Sequence, residues 1–365
     1  MLKSYPCTMM RGGTSKGAYF LASDLPRNRN ALTDILLAVM GSPDVRQIDG
    51  IGGSHPLASK VALVSSSEKP GIDIDYLFAQ VVVDKPVVDF NQNCGNILAG
   101  IGYFAIEKGL VPATDPVTRV TILMVNSGKR AVATIETPKG VVRYSGDARL
   151  DGVPGTAAPV MLDFLDTAGA ICGALLPTGN TTDIIDGIPV TCIDNGMPVV
   201  ILRAKDLDRT GYESRDALDR DEELKRRLES IRRQVGPRMN LGDVSAKTVP
   251  KMTLVSKPRS GGSVCTRTFV PHTCHATIGV LGAVSVASAC LFPDSPAAAV
   301  SRLPDGDVKL ISVEHPSGAV AVEIEVKAEK GAVTLLRSSL LRTARKLFEG
   351  KVFIPAGAVE ERHNR

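Results

Sequence analysis

The feature that most constrains the fold is an internal repeat. Four segments of the first half recur in the same order in the second half, at offsets of 181, 191, 180 and 191 residues in a chain of 365. A fixed order at a spacing near half the chain length indicates duplication, with chance similarity between apolar strands as the alternative. The paired segments are 20–25 with 201–207, 60–65 with 251–256, 93–95 with 273–275, and 139–142 with 330–333.

The secondary-structure pattern agrees with two similar α+β halves. Short runs rich in Val and Ile, bounded by Gly, Pro, Asn or Asp, predict strands at 61–64, 77–83, 120–124, 131–135, 199–202, 252–255 and 319–326. Apolar periodicity predicts helices over 29–40, 96–108, 215–235 and 276–290. We therefore predict halves at 1–183 and 184–365, each with a sheet wrapped around a central helix. Residues 178–182 connect them, and the last strand is free to return to the first half.

Composition excludes several classes of function. The chain has 43 basic and 39 acidic residues, and a net charge of +4 is too small and too dispersed for a nucleic-acid surface. Aromatic residues make up only 4%, which leaves few stacking surfaces for bases or sugars. The longest apolar run, 276–292, is shorter than the roughly 20 residues that a membrane span needs. We predict that this run is a buried helix.

Cysteine usage indicates a reducing compartment. The seven cysteines are odd in number and include no CxxC pair, so we expect free thiols rather than a disulfide framework. The first six residues lack the apolar segment of a secretory signal. We therefore expect a cytoplasmic protein.

Cys94 is the first candidate for chemistry, because it stands at the predicted start of an apolar helix. A thiol at a helix N-terminus lies beside unpaired N–H groups and the positive end of the dipole. Such surroundings lower a thiol pKa from about 8.5 into the range of roughly 3.5–7.5. The same amides can hold a carboxylate, and Gly95 permits its close approach. A buried structural cysteine is the alternative.

Lys60 is the second candidate, because it begins an apolar strand after the Gly-rich loop 49–59. That loop lacks the spacing of a P-loop and runs into a strand rather than a helix. If the lysine is desolvated there, its pKa falls and its neutral amine can act as a base near pH 7. An exposed lysine at a strand end is the alternative.

Polar loops supply the remaining candidates. Loop 11–17 offers a guanidinium, two hydroxyls and backbone amides, which suit a carboxylate or a phosphate; a solvent-facing hairpin is the alternative. The corresponding loops of the second half are 271–275 and 315–318. His272 and His275 are three residues apart, but no further ligand completes a metal-binding pattern, so we expect no metal.

The chain resembles one known family over residues 6–355, and the matching motifs occur in the same order. They are 10–17 (MRGGTSKG), 49–53 (DGIGG), 59–62 (SKVA), 93–96 (NCGN), 151–156 (DGVPGT) and 315–318 (HPSG). The family comprises the 4-oxalomesaconate tautomerases and isomerases, the 2-methylaconitate cis-trans isomerases and the methylitaconate isomerases. The resemblance implies a diaminopimelate-epimerase-like fold of two pseudo-symmetric halves, with the site between them and no metal or organic cofactor.

The resemblance also implies roles for individual residues. The catalytic lysine of the family falls on Lys60 and its catalytic cysteine on Cys94. Cys274 is followed by His275 rather than by Gly, which departs from the two-cysteine pattern of racemases with this fold, so we expect no second catalytic thiol. The predicted substrate-binding residues are Arg11, Thr14, Ser15, Gly53, Ser54, Ser59, Asn93, Gly95, Asn96, His272, Thr273, Cys274, Ser317 and Gly318.

The implied activity is a proton shift on a small unsaturated tricarboxylate. The chain length and the context 91–94 resemble the 4-oxalomesaconate branch most, and 2-methylaconitate isomerisation is the alternative. An alternative of another class is a non-catalytic accessory protein that binds tricarboxylates. We expect no nucleic-acid or membrane partner, and the sequence leaves a homodimer open.

Overall fold

The computed structural model describes residues 1–90, 93–165, 167–245, 247–329 and 332–359. Two observations from the sequence therefore lie outside the described residues. They are positions 91–92, which favoured the 4-oxalomesaconate branch, and positions 330–331 of the fourth repeat match.

Contacts divide the chain into two compact units, Met1–Asp163 with Leu341–Arg365 and Phe164–Leu340. The last strand leaves the second unit after Leu340, and its residues 344–355 pair with the first strand of the chain. The predicted domain division at 183/184 lies later in the chain than the change of unit between Asp163 and Phe164, and it stays a prediction.

The first unit is a mixed sheet with two helices packed against it. Its helices are α1 (Arg29–Met40) and α2 (Gly95–Glu107). Its strands are β1 (Leu2–Gly12), β2 (Ser15–Leu21), β3 (Lys60–Ser66), β4 (Ile74–Val81), β5 (Val88–Asp89), β6 (Val117–Met124) and β7 (Lys129–Glu136), and β8 (Pro159–Leu165) follows at the boundary.

The second unit repeats this arrangement. Its helices are α3 (Arg215–Asp219), α4 (Glu222–Arg238) and α5 (Val280–Ala289). Its strands are β9 (Asp183–Ile185), β10 (Ile188–Asp194), β11 (Pro198–Arg203), β12 (Lys251–Ser256), β13 (Val264–Phe269), β14 (Val308–His315), β15 (Gly318–Glu329) and the start of β16 (Ala332–Pro355).

The strand pairing confirms that the two halves are pseudo-symmetric. Along β1-β2-β3-β4-β6-β7, the pairs are alternately antiparallel and parallel. The strands β10-β11-β12-β13-β14-β15 follow the same alternation in the same chain order. Lys60 and Lys251 each begin the third strand of their series, and α2 and α5 each precede the fifth.

Helix α2 forms the core of one face of the first unit's sheet. Residues 97–105 of this helix are all buried, as expected for a helix that is apolar all round. Gly100 lets the helix approach the sheet, because a Cβ at this position would lie 2.5 Å from the hydroxyl of Tyr19. Helix α1 packs on the other face of the sheet, in a cluster with strand residues such as Ala18, Val61 and Ala79. Alternation along the strands therefore assigns Tyr19, Ala62 and Phe78 to the α2 side.

The predicted helices differ from the observed ones at their ends. The helix 29–40 is confirmed and ends at Gly41, whose φ is 79°. The prediction of a single helix over 215–235 is wrong, because α3 ends at Asp219 and a second helix, α4, begins at Glu222. The side chain of Asp221 caps α4 by accepting a hydrogen bond from the amide of Leu224. The helix predicted from 276 begins only at Val280. No helix among the described residues is long and apolar enough to cross a membrane.

Candidate active site

Cys94 is the N-cap residue of α2, as the sequence predicts. Its backbone is extended, and its side chain makes no capping hydrogen bond. Its carbonyl accepts hydrogen bonds from the amide of Leu98 at 3.0 Å and from the hydroxyl of Tyr76 at 3.3 Å. Since the first amides of a helix have no intrahelical partner, the thiol stands beside a place where an anion can bind.

Cys94 also differs from the other cysteines in exposure. All seven cysteines are among the described residues and free, and Cys94 is the one that is not buried. Burial raises the pKa of Cys274 to about 11, and burial is also the largest cause of a raised pKa at four further thiols. Those with a pKa raised to about 12 are Cys7, Cys172, Cys192 and Cys290.

We expect iodoacetamide at mildly acidic pH to alkylate Cys94 first. The reactive species is the thiolate, and burial disfavours that form at five of the competing positions. Peptide mapping after limited labelling measures the order of modification. Preferential labelling of Cys172 or Cys290 would contradict this expectation.

Lys60 is buried at the start of β3, with 8% of its surface exposed. The alternative of an exposed lysine at a strand end is therefore wrong. Its Nζ donates to Oε1 of Gln80 at 2.5 Å and lies 5.1 Å from the ring centroid of Phe78. Gln80 in turn donates to the carbonyl of Ser59 at 2.9 Å. Among the described residues, no carboxylate forms a salt bridge with Lys60.

Lys60 and the first turn of α2 meet at Gly17. The register pairs Gly17 with Lys60, and a Cβ on Gly17 would lie 2.7 Å from the carbonyl oxygen of Lys60 and 3.1 Å from Cδ1 of Ile97. Any larger residue would push the strand and the helix apart. Strand alternation also assigns Lys60 to the α2 side, because its neighbour Val61 packs with the α1 cluster.

The β1–β2 hairpin is tied to the same end of α2. Nδ2 of Asn96 donates to the hydroxyl of Thr14 at 3.0 Å and to that of Ser15 at 3.5 Å. Gly13 turns the hairpin with φ of 52°, and a Cβ on Gly12 or Gly13 would collide with Asn96. The two glycines therefore bring these hydroxyls against the helix start. Thr14 is exposed, whereas Ser15 is buried.

Asn93 and Gly95 flank the thiol. Nδ2 of Asn93 donates to the hydroxyl of Ser127 at 2.6 Å, while its Oδ1 is buried without a hydrogen-bond partner among the described residues. A buried amide oxygen without a donor is costly, so this oxygen is ready to accept from a donor that enters the site. Gly95 is the first residue of α2.

The loop before Lys60 is braced by Gln47, which is almost fully buried. Its amide nitrogen donates to the hydroxyl of Ser59 at 2.7 Å, and its amide oxygen accepts from the backbone of Ser54 at 3.0 Å. The hydroxyl of Ser54 donates to the carbonyl of Arg46. These polar groups thus have partners within the loop. Gly53 packs against Ala58.

Gly17 pairs with both Met10 and Lys60, so alternation along β1 assigns Arg11 to the face of the sheet opposite to that of Lys60. Its Nη1 donates to the carbonyl of Gly13 at 2.9 Å and to the carbonyl and hydroxyl of Thr343 at 2.9 and 3.0 Å. Its side chain lines a cavity of about 350 Å³. Arg345, residues 153–156 of the DGVPGT segment and the following Ala157 also line this cavity. The structure therefore does not bring Arg11 to Lys60, and its predicted role stays a prediction.

The contacts of the candidate residues in the second unit are with other residues of that unit. The hydroxyl of Ser317 donates to the carbonyl of Ala276 at 2.8 Å, and Gly318 pairs with His315. His272 and Thr273 are exposed, and Nδ1 of His272 lies 3.8 Å from a carboxylate oxygen of Glu229. Within the described part of the chain, no group of three or more His, Cys, Asp or Glu side chains is placed to hold a metal.

Cys274 is not the counterpart of Cys94. It precedes α5 by several residues, its side chain is fully buried, and its amide donates to Asp219 at 2.6 Å. Burial and the nearby charge of Asp219 raise the pKa of its thiol. The roles predicted for Cys274 and for the other second-unit residues as substrate ligands stay predictions.

Sequence reasoning missed several polar residues around Lys60 and Cys94. Tyr76 and Gln80 lie on β4, and Tyr19 on β2 donates to the carbonyl of Ile97 at 2.6 Å. The alternation of side chains along each strand could have identified them, since each occupies a strand position that faces α2. Arg342 is buried in β16, and no pattern in the sequence distinguishes it from the other arginines of that strand.

A buried lysine and the thiol of a helix N-cap residue thus lie on one side of the first unit's sheet, and an amine and a thiol are groups that can act as acid and base. The chain matches the family described as PrpF protein over residues 2–355, and it belongs to that family. It is therefore an isomerase.

Two relatives and one solved structure place the chain more closely. It is 60% identical to (4E)-oxalomesaconate Delta-isomerase of Novosphingobium sp. strain KA1, over 97% of this chain and 98% of that protein. It is 58% identical to 4-oxalomesaconate tautomerase of Pseudomonas putida, over 96% of each. A crystal structure of methylitaconate-delta-isomerase matches with a TM-score of 0.87 and 35% identity, covering 98% of this chain and 97% of that one.

The more distant structure concerns the fold alone. A probable proline racemase from Agrobacterium radiobacter K84 matches with a TM-score of 0.51 and 12% identity, covering 97% of this chain and 95% of that one. The diaminopimelate-epimerase-like fold is confirmed.

Proposed function

We propose that this chain isomerises 4-oxalomesaconate by a proton shift, with Lys60 and Cys94 as the acid–base pair. The observation that carries the proposal is that a buried amine and a partly exposed thiol both lie on the α2 side of one sheet. It is supported by identities of 58–60% over nearly the full chain to proteins named for that substrate.

The chemistry needs a base, an acid and donors for a developing negative charge. Removal of a proton from a carbon beside the C=C bond and a carbonyl group leaves a delocalised dienolate. Return of a proton at the far end of that system moves the double bond, and the proton count of the substrate is unchanged. The amides of Gly95 and Asn96, at the uncapped start of α2, hold the charge, and the hydroxyls of Thr14 and Ser15 bind a carboxylate.

Two assignments satisfy this scheme. In one, Lys60 takes the proton and Cys94 returns it; in the other, the roles are exchanged. Both use the same residues, so kinetic experiments on variants decide between them. The enzyme works in the cytoplasm under this proposal, which the seven free thiols support.

A panel of acids tests the proposal directly. The purified protein is mixed with 4-oxalomesaconate, 2-methylaconitate or methylitaconate, and turnover is followed by ultraviolet absorbance and by deuterium uptake from D₂O. We expect the fastest turnover with 4-oxalomesaconate, accompanied by deuterium in the product. We also expect full activity after exhaustive treatment with EDTA, because the proposed donors are protein groups.

Three outcomes would contradict the proposal. Faster turnover of 2-methylaconitate than of 4-oxalomesaconate would show that 2-methylaconitate is the preferred substrate. Tight binding of a tricarboxylate without turnover or deuterium uptake would identify a non-catalytic accessory protein. Activity that EDTA removes and a divalent ion restores would show that a metal supplies the electrophile.

A further inference from the structure

Arg342 is a buried cation that the scheme above does not use. It lies on β16 within the first unit, and 4% of its surface is exposed. Its Nη1 donates to the carbonyl of Leu341 at 2.8 Å, but its Nε is buried without a hydrogen-bond partner among the described residues. Burial of a guanidinium is costly unless an anion and hydrogen bonds compensate it.

The register of β1 and β16 fixes the face on which Arg342 lies. Gly12 pairs with Ala344 and Arg11 with Arg345, and a Cβ on Gly12 would point at the backbone of Asn96 in α2. Ala344 therefore faces α2, and alternation puts Arg342, two residues earlier, on the same face. Arg345 faces the other way and is exposed.

The start of α2 is next to this segment of β16. The amide of Gly13 donates to the carbonyl of Thr343 at 2.9 Å, and Thr14 in the same hairpin accepts from Asn96. Burial lowers the pKa of Arg342 to about 10, and the charge of Cys94 opposes that shift. Cys94 is the N-cap residue at the end of the helix that Arg342 faces.

The other titratable groups around Cys94 come from β2, β3 and β4. Burial raises the pKa of Tyr19 and of Tyr76 well above the usual value, and the charge of Cys94 raises both further. Both phenols therefore stay neutral at physiological pH. Lys60 begins β3 on the same face and is bound to Gln80.

We propose that Arg342 is a positioning residue that compensates the negative charge of the Cys94 sulfur and keeps it ready for proton transfer. The use of that sulfur in catalysis rests on the proposed function, but the electrostatic pairing itself does not. Arg342 acts through Cys94 and does not exchange a proton with substrate.

The test is the rate of alkylation of Cys94 by iodoacetamide as a function of pH, without any substrate. Arg342→Met removes the charge and keeps an unbranched apolar stem, while Arg342→Lys keeps a charge. We expect the midpoint of the profile to rise by about one pH unit in Arg342→Met, which lowers the thiolate fraction about tenfold below the midpoint. Arg342→Lys should show a smaller rise.

Arg345→Met is the matched control, because it removes the same charge from the opposite face of the same strand. Its profile should stay at the parental midpoint. Circular dichroism and melting temperature establish that each variant is folded. An unchanged midpoint in folded Arg342→Met, or equal shifts in the two methionine variants, would overturn the proposal.

A second measurement does not require an Arg342 variant to fold. The free energy of unfolding of the parent is compared with that of Cys94→Ala across pH. A thiolate stabilised in the folded state has a folded pKa below the unfolded value of about 8.5, so the parent gains stability over Cys94→Ala as pH rises between those two values. A difference that is independent of pH would overturn the pairing. Neither measurement needs turnover, so a failed substrate panel leaves them interpretable.

Discussion

Replacement of Lys60 by alanine is expected to lower kcat by at least the roughly 10²–10⁴-fold typical of an acid–base group, with little change in melting temperature. The amine bonds to Gln80 and lies over Phe78, while the pairing of β3 with β2 and β4 runs through the backbone. Removal of the side chain thus deletes the proton carrier and leaves the ladder intact. Steady-state kinetics with 4-oxalomesaconate and thermal unfolding measure the two effects separately.

Lys251→Ala is the matched control for this prediction. Lys251 begins β12, the strand that corresponds to β3, and burial and Arg232 lower its pKa. The helix of its own half has Gly279 at the N-cap position rather than a cysteine. We expect its replacement to change kcat far less than that of Lys60. Equal losses at the two lysines would show that the assignment of catalysis to the first unit is wrong.

Much of the fold could be predicted because its signals are local. Apolar runs identify strands such as β3 and β12 within a few residues, and Gly41 ends α1 by the left-handed conformation that glycine favours. The repeat predicts the duplication, since equivalent residues such as Lys60 and Lys251 begin equivalent strands. Cys94 is predictable as a helix start because an apolar run begins three residues later, at Ile97.

The remainder depends on contacts between distant segments. Arg11 and Arg342 are both arginines in strands, and only the register of β1 with β16 shows that they lie on opposite faces of the sheet. Likewise, the sequence does not show that the hydroxyl of Ser59 accepts a hydrogen bond from the side chain of Gln47, twelve residues earlier. The predicted start of α5 is too early because Ala276 and Ile278 continue the apolar pattern up to Gly279 without a capping signal.

Replacement of Cys94 by alanine is expected to reduce turnover of 4-oxalomesaconate by a factor of at least about 10²–10⁴, since it deletes the second proton carrier. Deuterium exchange into unreacted substrate distinguishes the two assignments. If Lys60 removes the proton, exchange continues in Cys94→Ala while product formation falls. If Cys94 removes it, both processes fall together. Mass spectrometry of recovered substrate measures exchange, and absorbance measures product.

Cys274→Ala provides the control for loss of a thiol. Cys274 is fully buried, its thiol has a pKa raised to about 11, and its sulfur donates to the carbonyl of His275. We therefore expect its replacement to lower the melting temperature and to leave kcat nearly unchanged. Full activity in Cys94→Ala would remove the thiol from the mechanism. A loss in folded Cys274→Ala as large as that in Cys94→Ala would instead mean that both halves supply a catalytic thiol, as in a two-cysteine racemase.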